Sequence, residues 1–127
     1  VFQASLLIVD DEAALRAGLR DAFEDMGYRV FTAGSGEEGL DILTREQVDA
    51  CTVDIRLPGM SGNDFIMKAG RAYPGLRFLV YTGSWNYRLT QELTALGISR
   101  EDVFSKPCDD LALMARAIER LLARDGA

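Results

Sequence analysis

Along the chain, short runs of apolar residues alternate with longer stretches in which apolar positions recur at helical spacing. Leu6-Leu7-Ile8-Val9 is a four-residue aliphatic run, too short for a helix and suited to a strand buried on both faces. From Glu12 to Met26, the residues Leu15, Leu19, Phe23 and Met26 form one stripe of an amphipathic helix, and Gly27 is placed to terminate it. Val30 and Phe31 mark a second strand over Tyr28 to Ala33. Ser35-Gly36-Glu37-Glu38 fits a capping box, with Ser35 as N-cap and Glu38 three residues on, and opens a helix through Leu40 and Leu43. Ala50 to Ile55 predicts the third strand. Pro58-Gly59 and Ser61-Gly62 then punctuate a loop before a helix carrying Phe65, Ile66 and Ala69. Phe78-Leu79-Val80-Tyr81 predicts the fourth strand, Leu89, Leu93 and Leu96 a fourth helix, and Val103-Phe104-Ser105 a short fifth strand. A last helix starts near Asp109 and sets Leu111, Met114, Ile118, Leu121 and Leu122 on one side.

Five strands in strict alternation with five helices, the strands nearly continuous in apolar residues, predict an α/β fold. Its sheet should be parallel, doubly wound and covered by helices on both faces. The 127 residues suit one domain spanning 1–127, with a core of about 4–123 and residues 124–127 as a tail or the start of a linker.

Composition narrows the chemistry. Fourteen basic against 20 acidic residues leave a net charge of −6, which argues against a direct nucleic-acid surface. Neither a membrane-spanning run nor a signal-peptide pattern is apparent, so a soluble, cytoplasmic protein is expected. Histidine is absent, which removes serine or cysteine nucleophiles activated by histidine, histidine-ligated metals, and any phosphohistidine made on this chain. Cys51 and Cys108 lie far apart without CxxC spacing; reduced, packed thiols are the ordinary reading and a disulfide the alternative.

In an open α/β sheet the working site lies beyond the carboxyl ends of the strands. Strand 1 delivers Asp10 and Asp11 there, strand 3 Asp54, strand 4 Thr82 and strand 5 Lys106. In a doubly wound sheet of order 2-1-3-4-5, strands 1 and 3 would be adjacent and the three carboxylates would converge, resisting joint ionisation unless a cation compensates. Oxygen ligands without histidine or a nearby thiolate suit Mg²⁺. Taken singly, each residue has an ordinary explanation. Asp10 or Asp11 could cap helix 1, Asp54 could form a turn, Thr82 could merely end a strand, Phe104 could be core and Lys106 could be a surface lysine. Their conjunction at successive strand ends is what carries information.

The chain resembles the receiver (phosphoacceptor) domain of two-component response regulators over essentially its whole length. The matching segments are Leu7-Ile8-Val9-Asp10-Asp11-Glu12, Val53 through Gly62, Val80-Tyr81-Thr82-Gly83 and Phe104-Ser105-Lys106-Pro107. The resemblance implies a flavodoxin-like (βα)5 fold with strand order 2-1-3-4-5. It implies that Asp54 accepts a phosphoryl group from a phosphohistidine on a sensor histidine kinase or histidine phosphotransfer protein. Asp10, Asp11, Asp54 and the Arg56 backbone carbonyl would serve Mg²⁺, while Thr82 and Lys106 would hold the phosphoryl oxygens. Lys106–Pro107 would be a cis peptide. Thr82 and an aromatic on strand 5, matched to Phe104, would switch the face of helix 4, strand 5 and helix 5 towards an output domain or a homodimer. Such a domain is a signalling module rather than an enzyme acting on free metabolites.

Three other functions fit less well. A haloacid-dehalogenase-type phosphatase wants an acid two residues after its nucleophile, where Arg56 stands. A module that binds partners without phosphorylation would show a damaged acidic or lysine site. A flavin carrier would need a phosphate cradle where Asp10-Asp11-Glu12 stand. Against the family pattern, the interval from Thr82 to Lys106 runs about two residues long, and Ser84 and Trp85 replace the usual small or aliphatic residues. Arg56 and Ser84 occupy positions that, in the family, tune hydrolysis of the aspartyl phosphate. Trp85, the only tryptophan, is expected to report movement of the loop after Thr82.

Overall fold

A computed structural model describes residues 3–84, 86–108 and 110–123; the expectation for Trp85 and the start of the last helix at Asp109 lie outside the described residues. The chain runs β1 (Ser5–Val9), α1 (Ala13–Asp25), β2 (Arg29–Ala33), α2 (Gly36–Arg45), β3 (Ala50–Val53), α3 (Gly62–Ala72), β4 (Arg77–Thr82) and α4 (Gln91–Ala95). A 3-10 turn (Arg100–Asp102), β5 (Val103–Ser105) and α5 (Leu111–Ala123) complete it. The strands form one parallel sheet in the order β2-β1-β3-β4-β5, as the resemblance implies.

The apolar strand runs are explained by burial on both faces. Alternate residues divide between two cores, because side chains on a strand alternate direction. Leu7, Val9, Cys51, Val53, Phe78 and Val80 pack under α2, α3 and α4 through Ile42, Phe65, Ile66 and Leu93. Leu6, Ile8, Ala50, Leu79 and Tyr81 pack under α1 and α5 through Leu19, Phe23, Met114 and Ile118. Fully burying one such aliphatic or aromatic side chain contributes roughly 1.5–3 kcal/mol, so the central strands anchor the fold.

Helix ends follow local chemistry. Ser35, Ser61 and Thr90 cap α2, α3 and α4, each accepting the backbone N–H three residues on, at 3.1, 3.1 and 3.2 Å. The fourth helix is shorter than the Leu89–Leu96 spacing predicts: Thr90 caps it after Leu89, and Gly97, at φ +95°, turns the chain immediately after Leu96. Leu89 therefore packs from a loop. Glycine is also required at position 62, where a Cβ would collide with the carbonyl oxygen of Asp54, so α3 begins hard against the end of β3. Cys51 is buried and Cys108 half-buried, and both are free thiols. No helix among the described residues is long and apolar enough to cross a membrane.

Candidate functional site: an acidic cleft at the carboxyl end of the sheet

Because all five strands run the same way, their carboxyl ends share one edge, and the chain leaves β1 and β3 there through polar turns. Asp10 follows β1 and Asp54 follows β3; the residues are only 2% and 6% exposed. The Asp10 backbone is fixed on both sides, its N–H donating to the Ala33 carbonyl at 3.0 Å and its carbonyl accepting from the Arg16 guanidinium at 2.7 Å. Asp10 Oδ1 also accepts the Glu12 N–H at 2.9 Å, a turn that aims its other oxygen at Lys106.

Lys106 arrives from beyond β5 and joins the carboxylates. Its Nζ lies 2.8 Å from Asp10 Oδ2, 3.1 Å from Asp54 Oδ2 and 3.3 Å from Glu12 Oε1. The lysine is held at its root by its own N–H, which donates to the Thr82 carbonyl at 2.9 Å. The Cys108 N–H donates to the Tyr81 hydroxyl at 3.0 Å, tying down the turn beyond it. Lys106–Pro107 is a cis peptide, as the resemblance implies. Asp54 Oδ1 faces the Arg56 N–H at 3.3 Å.

The electrostatics are those of a charge cluster short of one cation. Burial pushes the Asp10 carboxyl above its ordinary range; Lys106 and the Glu12 N–H offset only part of this, and the Asp54 charge adds to it. Burial works against the Lys106 charge as well, but the hydrogen bonds it donates to Asp10 and Asp54 and their charges outweigh it, so the ammonium holds its proton well above the usual lysine range. One ammonium serves three carboxylates.

Asp10, Glu12 and Asp54 each offer an oxygen, all within 4.8 Å of one another. Hard oxygen donors at this spacing, with histidine absent and Cys51 locked in the core, suit a hard divalent cation of the Mg²⁺ kind. Asp11 is exposed and stands outside this trio, but it lines the same cleft with Glu12, Asp54, Arg56, Ser84 and Lys106, a space of about 500 Å³. Thr82 is buried at the end of β4, and its Oγ1 accepts the Ser84 N–H at 3.1 Å.

Strand register corrects the expectation for Phe104. β4 and β5 pair as Val80 with Val103, Tyr81 with Phe104, and Thr82 with Ser105. Paired residues of a parallel ladder point to the same face, so Phe104 shares the face of Tyr81 and packs against the α1–α5 core. Thr82 follows Val80 to the opposite face, where Val103 lies. An inward-moving Thr82 therefore vacates no space that Phe104 can fill. Two residues to which the sequence assigns no role also belong here: Glu12, whose Oε1 reaches Lys106, and Val103, on the face to which Thr82 points. Counting alternate positions back from Ser105 would have found Val103.

Comparison with known proteins places this geometry in a family. A family model for the response regulator receiver domain matches residues 6–118. Sporulation initiation phosphotransferase F of Bacillus subtilis is 33% identical over 104 residues, covering 82% of each chain. The alginate biosynthesis transcriptional regulatory protein AlgB of Pseudomonas aeruginosa is 30% identical over 122 residues, 96% of this chain but only 27% of its own length. Among solved structures, chemotaxis protein CheY4 of Vibrio cholerae superposes with a TM-score of 0.84 at 26% identity, covering 95% of this chain and 100% of its own. The response regulator protein TrrA of Thermotoga maritima, solved with Mg²⁺ and beryllofluoride, gives a TM-score of 0.82 at 24% identity over 94% of this chain and 100% of its own, a likeness of fold. With the matched segment containing the acidic cleft and reaching into every strand, the chain belongs to the response regulator receiver domains, the signalling modules of two-component systems.

Proposed function

We propose that Asp54 is the phosphoacceptor of a two-component phosphorelay and that the donor is a phosphohistidine on a sensor histidine kinase or a histidine phosphotransfer protein. The observation that carries this reading is the Asp54 carboxylate itself: nearly buried, open to the cleft on one side, and bonded to the Lys106 ammonium at 3.1 Å. A carboxylate attacking a phosphoryl group approaches like charge, and phosphoryl transfer needs positioning and neutralisation more than covalent assistance. An Asp54 oxygen bonds to phosphorus as the P–N bond of the donor breaks; the electron pair leaves with the imidazole nitrogen, which takes up a proton. Lys106 and Thr82 hold the phosphoryl oxygens.

Asp10, Asp11, Asp54 and the Arg56 carbonyl are the groups assigned to Mg²⁺, with Glu12 beside them. When bound, the ion supplies the positive charge that Lys106 alone cannot give three carboxylates. Phosphorylation replaces the Asp54 carboxylate with an acyl phosphate, whose phosphoryl oxygens carry about −1.5 to −2 charge into the cleft; this draws the Thr82 hydroxyl inward and biases the face of α4, β5 and α5. That face would then engage an output domain or a second copy. AlgB, of which this chain spans about a quarter, illustrates a receiver attached to a longer regulator.

The test is intact mass after incubation with Mg²⁺ and acetyl phosphate. Wild type should gain one phosphoryl group, labile to base, and Asp54→Asn none. Equal phosphorylation of the two proteins would overturn the assignment.

A further inference from the structure

A hydrogen-bonded path runs from Thr82 around the cleft to α3, and the phosphoryl chemistry makes no use of it. Thr82 Oγ1 accepts the Ser84 N–H at 3.1 Å, and the Ser84 carbonyl accepts the Tyr87 N–H at 3.2 Å. The Tyr87 hydroxyl then donates to Asn63 Oδ1 at 2.9 Å. Asn63 is the second residue of α3, and Gly62 before it donates its N–H to the Ile55 carbonyl at 2.9 Å while lying against the Asp54 carbonyl. The path thus starts at the hydroxyl beside the acceptor strand and ends one turn from the acceptor itself.

Tyr87 also belongs to a second place. It lines a groove of about 1070 Å³ with Leu89, Thr94, Ile98, Arg100 and Val103, at the edge made by α4, the 3-10 turn and β5. The ring is half-buried against the core under α2, α3 and α4. Burial pushes its phenol above the ordinary range, so the hydroxyl stays a donor at neutral pH. On the face to which Thr82 points, β5 presents Val103 and no aromatic ring, whereas the β4–α4 loop presents Tyr87. The apolar groove residues Leu89, Ile98 and Val103 give that ring somewhere to go.

We propose that the Tyr87–Asn63 hydrogen bond is an autoinhibitory latch: it holds the β4–α4 loop against α3 in the resting state and opens when Thr82 turns to an oxyanion on Asp54, releasing Tyr87 into the groove beside Val103. This rests on Asp54 being the phosphoacceptor. A Thr82 hydroxyl drawn towards the oxyanion pulls on the Ser84 N–H and, through the Tyr87 N–H bond to the Ser84 carbonyl, on the ring. A bond made only in the resting state opposes occupancy of the acceptor site, and by linkage its removal must tighten binding there.

The experiment is calorimetric titration with Mg²⁺ and beryllofluoride, whose bound form stands in for the aspartyl phosphate. Wild type, Asp54→Asn, Tyr87→Phe, Asn63→Ala and the Tyr87→Phe/Asn63→Ala double variant are compared. Tyr87→Phe keeps the ring and deletes only the donor, and thermal melts establish that each variant is folded. Tyr87→Phe and Asn63→Ala should each bind about three- to tenfold tighter than wild type, the range expected for one net hydrogen bond. The double variant should gain no more than either single, because both remove the same bond. Unchanged or weaker binding in both singles, or gains that add in the double, would overturn the latch. If Asp54→Asn binds as well as wild type, or wild type does not bind, the phosphoacceptor reading fails and the latch falls with it.

Discussion

The two sides of the carboxyl edge are built differently. Over β1 and β3, Asp10, Glu12 and Asp54 gather on a single ammonium, with Asp10 and Asp54 almost wholly buried and each backbone fixed by further bonds. Over β4 and β5, α4 is only five residues long, β5 three, and a wide groove opens between them. A buried charge cluster has little freedom, since moving any one member leaves another unpaired in a low-dielectric surrounding. A short helix capped at one end and stopped by glycine at the other has few contacts to lose. The first side holds a charge cluster in place, and the second offers less packing to resist a rearrangement.

Removing the ammonium should break the rigid side most. Lys106→Met leaves Asp10 and Asp54 buried together without a counter-charge, so the melting temperature should fall at pH 7 by the equivalent of about 3 kcal/mol, the scale for breaking a buried pair. Phosphorylation by acetyl phosphate should slow at least about a hundredfold, as when a transition-state donor is removed elsewhere. A variant that melts with wild type would show that the cluster carries no strain for the lysine to relieve.

A smaller effect of opposite sign is expected at Asp10. Its folded pKa is raised above the unfolded value, chiefly by burial, so its contribution to stability is full at acid pH and is lost as pH rises through the folded pKa. Ionised Asp10 thus costs the metal-free protein stability at neutral pH. Asp10→Asn should raise the melting temperature at pH 7, and the gain should shrink as pH falls and the wild-type carboxyl takes up its proton. Asp11→Ala, at an exposed position, should change the metal-free protein by less than about 0.5 kcal/mol. Melting curves from pH 4 to 8 check both; a larger gain from Asp11 than from Asp10 would reverse the account of where repulsion is stored.

On the β4–β5 side, Phe104→Leu is a packing change under α5 and should cost about 1 kcal/mol while leaving the beryllofluoride response unchanged. Val103→Phe should instead alter that response by crowding the groove that Tyr87 lines. A lost response in Phe104→Leu would return the switch to the α5 face of the sheet.

What could be read from sequence follows the same division. The buried strands, the Ser35 cap and the arrival of Asp10, Asp54 and Lys106 at strand ends are set by local pattern, so spacing alone located them. Phe104 was misplaced because aromatic character and position in a segment do not state a face; the β4–β5 register does. The length of α4 was overestimated because Leu89 and Leu96 fit a helical stripe, although the Thr90 cap and Gly97 confine the helix between them. Glu12 reaching Lys106, and Tyr87 reaching Asn63, are contacts between distant segments that no local pattern announces.

The division of labour depends on Asp54 being the residue modified. Phosphorylated protein can be reduced with borohydride, which converts an aspartyl phosphate to homoserine, and then digested and mapped by mass spectrometry. The account predicts homoserine at position 54 alone. Conversion at Asp10 or Asp11, a reduced Glu12, or no reduced residue in protein that carries the added phosphoryl mass, would contradict it.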